Sequence, residues 1–165
     1  MGKEYSIQEA LKLAIQAEKD SMDFYRRAAT ITKNGRAKRV FELLANEEVG
    51  HLKSFFDHYK GGEFGDLQSF MATPPNRDNP IFRMLEQAVT AETHEQQALE
   101  IAMKEEKATA ERYSAFARDI VDPLVRAIFD RVVKETQGHY DMIEDEYSHI
   151  MGMVDKSEQD TYVRE

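Results

Sequence analysis

The sequence predicts an all-α protein, a four-helix bundle built from two repeated helical hairpins joined by a long crossover. Three observations predict it. Apolar residues make up 41% of the 165 and charged residues 32%, with only 8 Gly and 4 Pro. That balance suits amphipathic helices and is too apolar for a disordered chain. Four long segments carry helix start and stop signals and fall into two close pairs. The second pair also repeats the first, 88 residues on and without a gap, as Ala10-Leu11 and Ala98-Leu99 illustrate.

The first helix is expected to open at Ser6, where Glu9 completes a capping box, and to stop at Asn34-Gly35. The second runs over about 36–59 and ends at Lys60-Gly61-Gly62. The third starts at Thr93, with Gln96 in the capping-box position, and reaches about Val121. Asp122-Pro123 then supplies an N-cap and a first-turn proline for the fourth, which continues to about Gly152. Residues 61–92 form the crossover, broken at Gly61-Gly62, Gly65 and Thr73-Pro74-Pro75-Asn76, with a short helix expected over 80–91. The bundle thus occupies residues 1–154, and 155–165 read as a polar tail.

At the same offset Glu18-Lys19 lines up with Glu106-Lys107, Tyr25 with Tyr113 and Phe41 with Phe129. Glu47 matches Glu135, Gly50-His51 matches Gly138-His139, and Tyr59 matches Tyr147. Two copies of one hairpin predict a pseudo-two-fold axis through the bundle.

Placed at about 100° per residue, each helix shows an apolar stripe with charge inside it. On the first helix Leu11, Ala14, Ile15, Met22, Tyr25 and Ala29 surround Glu18; on the third Leu99, Ala102, Met103, Ala110 and Tyr113 flank Glu106. On the second Ala37, Phe41, Leu44, Leu52, Phe55 and Tyr59 enclose Glu48 and His51. The fourth places His139 among Val125, Phe129, Val132, Ile143 and Tyr147. A single glutamate in such a stripe is ordinarily a surface residue, and a single histidine a hydrogen-bonded core residue. Recurrence in the same slot of both halves points the other way. Burying ionised carboxylates costs several kcal/mol each unless a cation compensates, and no Lys or Arg stands at those positions. A metal ion is the simplest partner, and Glu48 with His51, three residues apart, present their ligands from one face. Mixed carboxylate and imidazole ligation suits iron or manganese, and also zinc.

These residues resemble the rubrerythrin family of the ferritin-like superfamily. Ala17-Glu18-Lys19 with Phe24-Tyr25 is similar to the family's first-helix motif, and Glu106-Lys107 with Tyr113 to its third-helix counterpart. Leu44-Ala45-Asn46-Glu47-Glu48-Val49-Gly50-His51 is similar to its Glu-x-x-His helix, and the resemblance spans about residues 6–150. It implies a ferritin-like bundle with a non-haem diiron site reacting with peroxide or dioxygen, or oxidising iron, in a homodimer. Two departures follow. A chain without cysteine cannot carry the family's cysteine-ligated rubredoxin module, so the electron donor is a separate molecule. The Glu expected three before His139 is Thr136, and the extra carboxylate three after Glu106 is replaced by Thr109. Glu135, next to Thr136 but about 100° round the helix, is a substitute ligand if the helix is locally distorted. The metal ligands expected are therefore Glu18, Glu48, His51, Glu106 and His139, with Glu135 as a sixth candidate. Thr136 predicts a lopsided site, with one metal position held better than the other.

The net charge of −9 argues against nucleic-acid and anionic-membrane partners, which need clustered cations. No cysteine means no disulfide, thiol chemistry or iron–sulfur cluster. The N-terminus has no apolar signal core, and no stretch approaches the roughly 20 apolar residues of a membrane span, so the cytoplasm is the expected location. The leading expectation is a di-metal redox protein. The competing one is a helical scaffold or oligomerisation module that has lost the chemistry, which Thr136 favours.

Overall fold

The computed structural model describes residues 2–163, with side chains described over 7–152. Among the described residues there are six helices: α1 Gly2–Ile31, α2 Gly35–Phe56, α3 Leu67–Ala72, α4 Pro80–Ala88, α5 His94–Asp119 and α6 Pro123–Val163. The four long ones, α1, α2, α5 and α6, form a ferritin-like bundle. Packing is most extensive within the hairpins, α1 on α2 and α5 on α6, which meet across α2–α6 and α1–α5. No helix among the described residues is long and apolar enough to cross a membrane.

Capping chemistry sets some boundaries and not others. The Asn34 side chain accepts from the backbone N–H groups of Arg36 and Ala37, which fixes the start of α2. Asp122 does the same for Leu124 and Val125 at the start of α6. At α5 the expected capping box is absent. The Thr93 hydroxyl accepts from the Gln97 side chain, and Gln96 turns to Glu100. Helix α1 begins a turn before Ser6, because Lys3-Glu4-Tyr5 contains no breaker. Helix α6 passes through Gly152, a residue that weakens a helix by about 1 kcal/mol without ending it. The tail beyond 154 is thus helical in backbone to Val163; its side chains and residues 164–165 lie outside the described residues.

Two apolar clusters fill the bundle. The first holds Leu11, Ile15, Phe55, Tyr113 and Phe129; the second holds Tyr25, Phe41, Leu44, Leu99 and Ile143. Along α1 and α6 the chain runs from the first cluster to the second, and along α2 and α5 it runs back. Helices α2 and α5 are therefore parallel, and only a crossover spanning the bundle can join them. The 88-residue offset carries Leu11 onto Leu99 and Phe41 onto Phe129, so the pseudo-two-fold operation exchanges the two clusters. Whatever lies between them lies on the axis.

The crossover is not a plain loop. Helix α4 matches the expected short helix but ends at Ala88, with Asn79 capping it and Pro80 in its first turn. Helix α3, capped by Asp66, follows a turn in which Gly65 takes a positive φ of 68°. Phe70 of α3 joins the first cluster, and Leu85 of α4 the second. The crossover covers α1 on its outer side. Lys19 is buried there, paired with Asp23, and its Nζ donates to the carbonyl of Thr73 at 3.1 Å.

Candidate metal centre

Between the two clusters each long helix contributes polar side chains to one layer. Glu18 comes from α1, Glu48 and His51 from α2, Glu106 from α5, and Thr136 and His139 from α6. None is more than 5% exposed. The helical period explains it: each falls on the stripe that the clusters bury, so folding the apolar faces inward takes the charges along.

The ligand atoms fall into two groups that could hold a metal ion. Glu18, Glu48 and His51 form one, and Glu48, Glu106 and His139 the other, with the atoms of each group within 4.8 Å of one another. Glu48 belongs to both, and its two oxygens face opposite ways. Its Oε2 lies 3.8 Å from Nδ1 of His51, and its Oε1 lies 3.3 Å from Nδ1 of His139. The outer carboxylates complete the groups, with Glu18 Oε1 3.7 Å from His51 Nδ1 and Glu106 Oε1 3.7 Å from His139 Nδ1. The two imidazoles stack with centroids 5.4 Å apart and planes 16° from parallel. Each group has one imidazole, one carboxylate of its own and one oxygen of Glu48. The donor sets are equal in number, so the lopsidedness expected from Thr136 does not arise from ligand count. Thr136 is buried in the layer and supplies no carboxylate.

Glu135 joins neither group. Its half-exposed carboxylate meets the outer nitrogen of His51, with 2.7 Å between Nε2 and Oε2. Glu47, its mate in the repeat, makes the same bond to Nε2 of His139. Each hairpin's glutamate therefore braces the other hairpin's histidine. The repeat pairs Glu47 with Glu135 in the sequence, but it assigns Glu47 no role, and only the packing of α2 against α6 shows the exchange. Arg131 backs Glu135, its Nε 3.8 Å away, while its guanidinium donates to Ser54 Oγ. In the neutral imidazole the brace favours the Nε2–H tautomer. An Nε2–H directed outward to a carboxylate leaves the Nδ1 lone pair facing inward.

Tyr25 of α1 donates its phenolic proton to Glu106 Oε1 at 2.5 Å, tying one hairpin to the ligand of the other. Tyr113, its mate, donates to the carbonyl of Ala14 at 3.4 Å. Burial pushes both phenols well above their ordinary range, and the neighbouring carboxylates add to it.

Without a cation the layer holds protons. Burial pushes Glu18 well above the ordinary carboxylate range, and the charge of Glu48 pushes it further. Burial also raises Glu106, with His139 opposing and Glu48 reinforcing. At Glu48 burial acts upward too, but the facing Glu18 carboxyl and the two imidazoles outweigh it and hold it low. Burial lowers the imidazoles, yet Glu18 and Glu48 bring His51 up to about 11, and Glu106 and Glu48 bring His139 up to about 10. The geometry still leaves gaps. Nδ1 of His51, Nδ1 of His139 and Oε1 of Glu18 are buried with no hydrogen-bond partner. Orphaned donors aimed at two shared points are the arrangement a pair of cations would satisfy, so these residues fit a di-metal site.

Against known families, the Rubrerythrin family model matches residues 9–147, which reaches all four long helices and includes every residue of the layer. No curated protein and no solved structure gives a significant match to the chain. With the repeated Glu and His positions converging in one buried layer and the family model spanning most of its length, the chain belongs to the rubrerythrin family.

Proposed function

We propose that the chain is a non-haem di-metal carboxylate protein, using iron, that reacts with peroxide or dioxygen or oxidises iron. The observation that carries this is the orientation of Glu48, whose two oxygens face two different histidines on opposite helices. A carboxylate so placed between two imidazole–carboxylate sets suits a bridge between two cations, and mixed oxygen and nitrogen ligation suits iron, with manganese or zinc able to occupy the same donors. Iron bound there supplies redox chemistry toward peroxide or dioxygen that no side chain of this chain offers.

The protein's own residues hold and tune the donors. Glu18 and Glu106 each close one position, and Glu48 serves both. Glu47 and Glu135 keep the imidazoles turned inward and raise their basicity. Tyr25 holds Glu106 in place with its phenolic proton, which burial keeps on the oxygen at neutral pH. The apolar clusters on either side exclude water along the bundle axis. Reduction of peroxide to two waters consumes two electrons and two protons; the electrons come from a separate donor, acting in the cytoplasm on a homodimer, the commonest soluble assembly.

A second reading is a metal-poor scaffold, favoured by Thr136 standing where a second bridging carboxylate is expected. One experiment separates the two. Protein loaded anaerobically with ferrous iron is mixed with peroxide or with dioxygen, and the optical spectrum and remaining ferrous iron are followed. The redox reading expects iron oxidation faster than for free ferrous iron in the same buffer. Oxidation no faster than the free ion would leave the scaffold.

A further inference from the structure

The two halves of the repeat differ in what covers them. On the α1–α2 side Met22 and Leu52 are fully buried and Lys19 nearly so. The crossover lies over Lys19, which is bonded to Thr73 with its Nζ 6.0 Å from the centroid of the Phe70 ring. The offset of 88 carries Lys19, Met22 and Leu52 onto Lys107, Ala110 and Tyr140 of α5 and α6. These three instead border an open cleft of about 670 Å³, and the cleft reaches Glu106. At Ala110 a methyl group stands where the first half has a whole methionine side chain. A second groove, of about 630 Å³ between α2 and α6, reaches His51. It leads to the outer nitrogen of that ring, which Glu135 already occupies, and not to the inward Nδ1.

We propose that the α5–α6 cleft is the port through which metal ions enter and leave the layer. The position of Glu106 and His139 then exchanges quickly, and that of Glu18 and His51, behind the crossover, slowly. The inference rests on the di-metal reading above. It places the inequality of the two positions in access, where ligand count gives none. Ala110 is the residue that keeps the port open.

The test uses cobalt(II) as the probe. Full-length protein is loaded to equilibrium, its cobalt content measured, and release into a large excess of a chromophoric chelator followed by stopped flow. Wild type is expected to release cobalt in two phases of equal amplitude, separated by about tenfold or more in rate. Ala110→Met, which installs the plug of the first half, is expected to slow the fast phase by about tenfold with cobalt content unchanged. Ser114→Phe, one turn along α5 at a half-exposed position of the same cleft, serves the same purpose if Ala110→Met does not fold. Gly50→Leu fills the other groove at a position where an added Cβ meets nothing within 4 Å, and is expected to leave both phases unaltered. A single release phase in wild type would overturn the proposal, as would slowing by Gly50→Leu and not by the cleft variants. Protein that holds no cobalt at equilibrium would remove the di-metal reading and the port with it; full content with unaltered rates in the cleft variants would remove the port alone.

Discussion

At the residue scale the weight falls on Glu48, the one carboxylate facing both positions. Two carboxylates about 4 Å apart repel by about 4 kcal/mol at the effective dielectric of a protein interior. Placing Glu48 between Glu18 and Glu106 is therefore unfavourable unless protons or cations intervene. Glu48→Ala is expected to remove metal from both positions, whereas Glu18→Ala or Glu106→Ala leaves about one metal per chain; elemental analysis of the three variants checks it. Equal losses in all three would contradict the shared role. The braces act one step farther out. Glu47→Gln and Glu135→Gln are expected to weaken metal binding by about 10- to 100-fold without abolishing it, since they loosen the histidines and leave the ligands in place. Titration calorimetry against wild type reads that shift. The convergence of Glu18, Glu48, His51, Glu106 and His139 was legible in the sequence because helical period alone puts each on a buried stripe. The place of Glu135 was not. It lies about 100° from the stripe, and its partner sits on another helix, so no periodicity along α6 encodes the contact.

Among the elements, the repeat was the most informative sequence feature, and it located four helices and their pairing. It could not reveal α3, six residues long inside a segment of turn formers with no mate in the repeat. It also missed how α1 starts and where α6 ends, because the signals at Ser6 and Gly152 permit a boundary without forcing one. Asn34→Ala removes the acceptor for two backbone N–H groups at the start of α2 and is expected to cost about 1 kcal/mol in urea unfolding. Lys19→Ala breaks the weld between α1 and the crossover and strands the buried Asp23 without its cation. The expected loss is about 3–5 kcal/mol by the same measurement. A change below about 1 kcal/mol would mean that the pair and the Thr73 bond are not holding the crossover down.

For the whole molecule, a charged layer between two apolar clusters makes folding, protonation and metal binding one linked equilibrium. In metal-free protein His51 and His139 keep their protons to about 11 and about 10, against an ordinary value of 6.5. A group whose pKa is raised on folding adds stability that is full below its unfolded value and is lost as pH climbs through the folded one. Metal-free protein is therefore expected to lose stability between pH 6.5 and 10, and Glu18 and Glu106, also raised, act in the same direction. Bound cations displace those protons, so metal-loaded protein should not share the loss. The gap between the melting temperatures of loaded and metal-free protein should widen from pH 6.5 to 9, and a constant gap would contradict the linkage.

The proposed di-metal centre depends on one shared carboxylate, Glu48, serving two metal positions in this layer. Its most direct test is metal stoichiometry at saturation, measured by elemental analysis after anaerobic loading with ferrous iron and removal of unbound metal. About two ions per chain are expected in wild type, with both lost in Glu48→Ala. Wild type that retains no iron, or an ion content that Glu48→Ala leaves intact, would contradict it.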